Sequence, residues 1–86
     1  MASKTVIENV SAELLRDGKK VYDVKLRLTI KELMVDERTG AAARAIARSE
    51  LITPGIADGR YRLRFLFDRN REEHQVRIEG GVMLAG

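Results

Sequence analysis

Hydrophobic and polar residues alternate along most of this chain, and a period of two is typical of β-strands that are buried on one face. The alternation is cleanest over residues 19–35, 60–68 and 74–78, and weaker over residues 5–15, where Glu8 interrupts it. We expect one parity of these segments to form the core. The expected core residues are Val24, Leu26, Leu28, Ile30, Tyr61, Leu63, Phe65, Phe67, Val76 and Ile78.

Turn-forming residues separate the alternating segments at short intervals. Asp17-Gly18 predicts a two-residue hairpin, because a type I′ turn requires a positive φ at both central positions. Pro54-Gly55 is typical of a type II turn, and Gly80-Gly81 predicts a turn, a bulge or a kink. Two polar stretches, residues 36–40 and 68–73, are the remaining predicted turns.

Residues 19–35 are too many for one straight strand in a small domain, since a segment of this length spans roughly 56 Å when extended. The alternation also fails at its end, where Leu33, Met34 and Val35 are consecutive apolar residues. An extra residue in a strand reverses the parity of the side chains and bends the strand. We therefore predict a β-bulge around Glu32 and Leu33.

Residues 41–50, AAARAIARSE, are compatible with two kinds of element. Alanine and arginine have high helix propensity, which favours a helix. The segment lies between strand-like segments and its small residues share one parity, which favours a strand, and we prefer the strand. The predicted fold is therefore all-β, an antiparallel meander of five to six strands that closes as a sandwich or a barrel. A short helix at 41–50 would instead favour a small barrel of the oligonucleotide-binding type.

The stretch DGRYRLRF, residues 58–65, resembles the strand that follows a tyrosine corner in immunoglobulin-like sandwiches. In those domains a tyrosine near the start of the strand ties the corner to the backbone just before it. The resemblance covers a short part of the chain, which lacks the cysteine–tryptophan–cysteine pattern of immunoglobulin domains. It implies that Tyr61 anchors the start of its strand, and it favours a sandwich.

The length and composition of the chain limit its class. With 86 residues it is expected to form a single β-domain over residues 1–86. It contains no cysteine, which excludes disulfides and thiolate metal sites and fits a reducing compartment. No apolar run reaches the length of a signal peptide or of a membrane span. We therefore expect a cytoplasmic protein that does not insert into a membrane.

Residue types that carry catalysis or bind metals are sparse. His74 is the only histidine, and the carboxylates next to it in sequence point to different faces of a strand. The serines lie outside any nucleophile motif, and GIADGR, residues 55–60, lacks the lysine and hydroxyl residue of a phosphate-binding loop. The sequence therefore predicts no enzyme, no metal site and no cofactor.

A row of arginines in residues 60–64 is the strongest candidate for a binding face. These arginines share one parity and lie about 6.6 Å apart along the strand, and basic residues of two other segments can join them. The candidate residues are Arg60, Arg62, Arg64, Lys25, Arg27 and Arg77. Such a face can bind a nucleic-acid backbone, but the aromatic residues that stack on bases lie on the opposite parity. With a net charge of only +3, we expect solvent-facing arginines that keep the surface soluble.

Some apolar residues lie on the polar parity of their strands. Exposed apolar patches tend to mark interfaces, and a small β-domain also has strand edges that another chain can cover. The candidate self-association residues are Leu33, Val35 and Leu66. The sequence thus predicts a non-enzymatic β-domain that binds protein, including a second copy of itself as a homodimer. The alternative is a small nucleic-acid-binding barrel that uses the basic face.

Overall fold

The computed structural model describes residues 3–36, 38 and 41–86, and its regular elements there are all β-strands. The strands are β1 Ser3–Arg16, β2 Lys19–Asp36, β3 Ala41–Leu51, β4 Gly59–Phe65, β5 Glu73–Glu79 and β6 Val82–Ala85. The all-β prediction is confirmed. Residues 41–50 lie in β3, so the strand interpretation of this segment is confirmed and the helix alternative is wrong.

The six strands form one antiparallel sheet in the order β3-β2-β1-β4-β5-β6, and this sheet curls into a nearly closed barrel. Strands β3 and β6 approach each other at the open side of the barrel without pairing. Successive strands pair with one exception, because the connection from β3 to β4 crosses both β2 and β1 and places β4 on the far side of β1. The domain therefore consists of two three-stranded meanders joined along β1 and β4.

The predicted hairpin turn at Asp17-Gly18 is present, and Gly80-Gly81 forms a turn, one of the three alternatives predicted for it. Asp17 and Gly18 have φ values of 53° and 76°, and the strands they join pair directly at Arg16 and Lys19. Positive φ at both central residues is the requirement of a type I′ turn, and it matches the right-handed twist of the strands. The turn at Gly80 and Gly81 has the same conformation, with φ values of 57° and 80°.

Strand β1 is paired unequally on its two sides. It pairs with β2 over its whole length, from Ser3 opposite Leu33 to the hairpin turn. Its other side pairs with β4 only from Ala12 to Leu15. Residues 3–10 of β1, with their partners in β2 and β3, therefore form a three-stranded part of the sheet that β4 does not reach, which we call the ribbon. The ribbon gives the molecule its elongated shape, 47 × 26 × 19 Å.

The predicted bulge lies two residues further along β2 than expected. Glu32 and Leu33 are in unbroken register with β1 and β3. The irregularity falls between Met34 and Asp36, where Val35 is the extra residue opposite β3. Placement at Glu32–Leu33 was therefore wrong. Leu33 still points outward, as the alternation of β2 requires, and it is exposed although it is apolar. The side-chain directions therefore do not need to reverse before Leu33.

The interior follows the predicted parity with one exception. Nine of the ten expected core residues are buried, whereas Phe67 is 58% exposed. Strand β4 ends at Phe65, so the chain turns before Phe67 can continue the alternation. The prediction for Phe67 was therefore wrong. Buried residues outside the expected set are Ala12, Leu14, Leu15 and Ile56.

The connection between β3 and β4 covers one end of the barrel and carries Ile56 into the core. It is attached to β2 at Lys25, whose backbone N–H donates to Thr53 Oγ1 at 2.8 Å. The carbonyl of Lys25 accepts from the N–H of Ile52 at 2.9 Å. This segment therefore acts as a lid of the core that is held by two hydrogen bonds to the backbone of Lys25.

Tyr61 anchors the start of β4, as the local resemblance implies. Its hydroxyl donates to the carbonyl of Ala57 at 2.6 Å, four residues upstream. The N–H of Ala57 donates to the hydroxyl of Tyr22 at 3.5 Å, and the two tyrosine rings meet edge to face with centroids 6.0 Å apart. The guanidinium of Arg16 lies over the Tyr61 ring at 4.5 Å. The anchor of a tyrosine corner is thus present here in a barrel-like sheet.

Phe65→Ala should lower the free energy of unfolding by about 3–5 kcal/mol, because it opens a cavity in the core. Phe67→Ala is the matched control, and it should cost about 1 kcal/mol or less because its ring is mostly exposed. Urea unfolding followed by circular dichroism measures both. Equal losses for the two variants would contradict the end of β4 at Phe65.

Tyr61→Phe should cost about 1–2 kcal/mol, because it leaves the carbonyl of Ala57 without its short hydrogen bond. Tyr22→Phe removes a longer hydrogen bond and should cost less than half as much. Thermal and urea unfolding of the two variants make the comparison. A larger loss for Tyr22→Phe would show that the anchor lies in the other tyrosine.

Candidate functional site

The predicted basic residues all lie on the outward side of the sheet. The register of β4 and β5 places Arg60 opposite Arg77 and Arg62 opposite Gln75, so Arg77 joins the arginine row. Lys25 and Arg27 lie on β2, which is separated from β4 by β1. We call these six residues the basic face: Arg60, Arg62, Arg64, Arg77, Lys25 and Arg27.

Acidic neighbours neutralise part of the basic face. Arg64 donates to Glu13 Oε1 through Nε at 3.1 Å and Nη2 at 2.9 Å, and their side chains are only 23% and 15% exposed. Arg64 is therefore a partly buried ion-pair partner, unlike the solvent-facing residue that was expected. Arg77 pairs with Glu79 at 3.1 Å. Within the described part of the chain, no carboxylate lies within ion-pair distance of Arg60 or Arg62.

The basic face has no aromatic residue on which a base could stack, as far as residues 3–36, 38 and 41–86 are concerned. Tyr61 and Phe65 point into the core. Phe67 is exposed, but it lines a groove on the inward side of the ribbon together with Val10 and Ile30. Base stacking supplies much of the affinity of single-strand binders, so this face resembles a solvated surface more than a nucleic-acid groove.

The predicted self-association residues do not form one patch. Leu33 pairs with Ser3 at the far end of the ribbon, whereas the N–H of Leu66 donates to the carbonyl of Ser11 at 3.2 Å. Eight positions of β1 separate these two points, which corresponds to about 26 Å. Leu66 is exposed, and Leu33 is half exposed. The side chain of Val35 lies outside the described part of the structure.

The edge of β1 along residues 3–10 is an exposed hydrogen-bonding surface. No described strand pairs with this edge, since β4 begins to pair only at Ala12. In an antiparallel strand the backbone groups point alternately to one side and to the other. The carbonyl of Ser11 points toward β4, where it accepts from Leu66. By alternation, the N–H and C=O groups of Ser3, Thr5, Ile7 and Asn9 point to the open edge.

The edge of β1 is regular, whereas the other edge of the ribbon is not. The ladder between β1 and β2 has no irregularity from Ser3 to Leu14. Strand β3 carries an extra residue, Ala47, between the partners of Thr29 and Ile30. Bulges protect strand edges against pairing with other chains, so β3 is a poorer template than β1. The free β1 edge is therefore the better candidate for contact with another strand.

Charged side chains of alternating sign lie beside the free edge on the inward face of the ribbon. Lys4 contacts Glu32 at 3.3 Å, and Arg44 contacts Glu32 and Glu8, each at 2.9 Å. On the outward face, Ile7 is 64% exposed. The edge thus combines unpaired backbone groups, one large exposed apolar side chain, and charges of both signs.

A groove of about 850 Å³ lies at the open side of the barrel. It runs between β3 and β6, and a second groove of about 300 Å³ on the ribbon shares Ile46 and Phe67 with it. His74 lines the larger groove, with its ring edge to face against Phe65 at 5.9 Å. Among the described residues there is no cluster of three or more metal-ligating side chains. The groove is mainly apolar, and its polar lining includes Ser49, Asp68 and Glu73.

The sequence analysis missed the β1 edge as a candidate site. The only available indication was in residues 4–8, where Val6 and Ile7 are adjacent and apolar and lie between Lys4 and Glu8. Adjacent apolar residues in a strand point to both faces, which is typical of a segment that is covered on both sides. Alternation identifies the faces of strands, but it contains no information about which edge remains unpaired.

Arg64→Gln should lower the free energy of unfolding by about 1–2 kcal/mol, because Glu13 loses two charge-assisted hydrogen bonds in a partly buried position. Arg62→Gln, on the same strand and exposed, should change it by less than about 0.5 kcal/mol. Urea unfolding of both variants against the parent tests this. Similar small changes in both would mean that the Arg64–Glu13 pair is as weak as a surface ion pair.

Comparison with known proteins gives no match, since no protein-family model fits the sequence and no curated protein or solved structure is significantly similar to it. The described part of the chain has no helix that is long and apolar enough to cross a membrane. The function of this chain must therefore be inferred from its own strand edges, faces and charges.

Proposed function

We propose that this chain is a non-enzymatic β-domain that binds protein, and that it associates with itself through the free edge of β1. The observation that carries this proposal is the unpaired, regular edge along residues 3–10. A strand of a second chain can satisfy the backbone groups of Ser3, Thr5, Ile7 and Asn9 by continuing the ladder, which is the mode of β-strand addition.

The ribbon supplies a rigid template for such pairing. Strand β1 is held along its whole length by β2, which in turn pairs with β3, so the free edge belongs to a three-stranded sheet. An incoming strand therefore does not have to order the edge that it binds, and association costs less conformational entropy. Each cross-strand pair of side chains adds about 0.2–1 kcal/mol to the main-chain hydrogen bonds.

The competing proposal is nucleic-acid binding by the basic face. It is supported by Arg60 and Arg62, which are exposed and have no carboxylate within ion-pair distance in the described residues. It is weakened by the missing stacking residues and by the Arg64–Glu13 and Arg77–Glu79 pairs. Titration of a single-stranded and a duplex oligonucleotide at two salt concentrations tests it, with the parent and with a variant in which Arg60 and Arg62 are both changed to Gln. If these arginines bind phosphates, the variant loses two phosphate contacts, and its slope of log affinity against log salt concentration is smaller by about 1–2 units.

Ile7→Lys should abolish self-association, because a lysine in the middle of a strand edge opposes pairing with another strand. Leu66→Lys is the matched control, since Leu66 is similarly exposed, at 57% against 64%, and lies beyond the free edge. Analytical ultracentrifugation over a range of concentrations should show a dimer for the parent and for Leu66→Lys, and a monomer for Ile7→Lys.

Two results would contradict the proposal. A parent chain that remains monomeric at high micromolar concentration would exclude self-association under these conditions. A dimer that is lost in Leu66→Lys and kept in Ile7→Lys would place the interface around Leu66, one of the three residues that the sequence predicts for self-association.

A further inference from the structure

The free edge of β1 is complementary to itself in one register. A closed dimer has a two-fold axis, and an axis perpendicular to the ribbon pairs β1 antiparallel with β1 of a second copy. Both copies then keep the same face inward, so residues of equal parity lie opposite each other. In each allowed register, one residue of β1 lies opposite the same residue of the other copy, and the axis passes midway between the two. We name each register by that residue.

The charges beside the edge select among these registers. With the axis at Val6, Lys4 of each copy lies opposite Glu8 of the other, and Val6 lies opposite Val6. With the axis at Thr5, Lys4 lies opposite an apolar residue, and an axis at Glu8 brings two carboxylates together. Opposite charges on directly paired positions stabilise a sheet, and like charges destabilise it.

The position of Leu66 excludes the next register along the strand. With the axis at Ile7, Ser3 of one copy lies opposite Ser11 of the other. The carbonyl of Ser11 already accepts a hydrogen bond from the N–H of Leu66, so that position is occupied. With the axis at Val6, Ser3 lies opposite Asn9 instead, so the pairs formed by the described residues of β1 end before Ser11.

We infer that the partner is a second copy of this chain, paired about a two-fold axis at Val6 with Lys4 facing Glu8 of the other copy. This inference rests on the self-association proposed above. The hydrogen-bonded pairs are Ser3 with Asn9 and Thr5 with Ile7, each formed twice. These are the residues whose backbone groups point to the open edge. The two ribbons join into one six-stranded sheet.

The inferred register extends the ion pairs of the ribbon across the dimer axis. Within one copy, Lys4, Glu32, Arg44 and Glu8 already form a chain of alternating charges. Because Lys4 is 71% exposed at its side chain, it is free to contact Glu8 of the other copy as well. The dimer joins two such chains of charges into one closed ring.

Charge reversal tests the register. Lys4→Glu and Glu8→Lys should each weaken the homodimer about tenfold or more, because each replaces two opposite-charge pairs with two like-charge pairs. The double variant K4E/E8K restores opposite charges and should recover dimerisation. An equimolar mixture of the two single variants should form a heterodimer, because each variant repels itself and complements the other.

Matched controls separate the register from a general effect of charge. Lys19→Glu and Glu79→Lys make the same charge changes on exposed residues away from the edge, and both should dimerise as the parent does. Sedimentation velocity gives the dissociation constants, native mass spectrometry identifies the heterodimer by mass, and circular dichroism melts verify folding.

The outcomes distinguish the two proposals. If the parent dimerises and Ile7→Lys does not, but K4E and E8K behave like their controls, then the edge pairs in another register and only the inference is overturned. Failure of the double variant and of the mixture to recover dimerisation would also overturn it. A monomeric parent would overturn both proposals.

Discussion

Strand β1 is longer than β4, which pairs with it on one side, and the rest of the molecule depends on this difference in length. β2 matches β1 along its whole length, but β4 has only seven residues and reaches β1 at four of them. The paired part closes into the barrel-like body and buries Leu14 and Leu63. The remaining part of β1 is paired with β2 alone, which creates both the ribbon and its free edge.

The interior could be predicted from the sequence because burial in a sheet follows a local rule. In β2, residues of one parity from Val24 to Ile30 are buried, as the alternation indicates. Phe67 continues the same alternation in the sequence but is exposed, because β4 ends at Phe65 and a turn follows. Ile56 could not be found in this way, since it enters the core from a connection without alternation.

The candidate site was harder to predict, because it depends on pairings between residues far apart in the chain. Arg64 contacts Glu13 across 51 positions, and only the register of β4 on β1 brings them together. The free edge also depends on pairing between distant residues, since it lies along the residues of β1 that do not pair with β4. The outward placement of Arg60, Arg62 and Arg77 requires only parity and the adjacency of β4 and β5, so the sequence could predict it.

The one-sided pairing of residues 3–10 also has a consequence for solvent exchange. In a single copy, amides of alternate residues in this segment donate to β2, and those between them, at Ser3, Thr5, Ile7 and Asn9, point to water. Hydrogen exchange depends on whether each amide is bonded in the folded state. Neighbouring amides of one continuous strand therefore have very different lifetimes, and the slow ones open only when the whole ribbon separates.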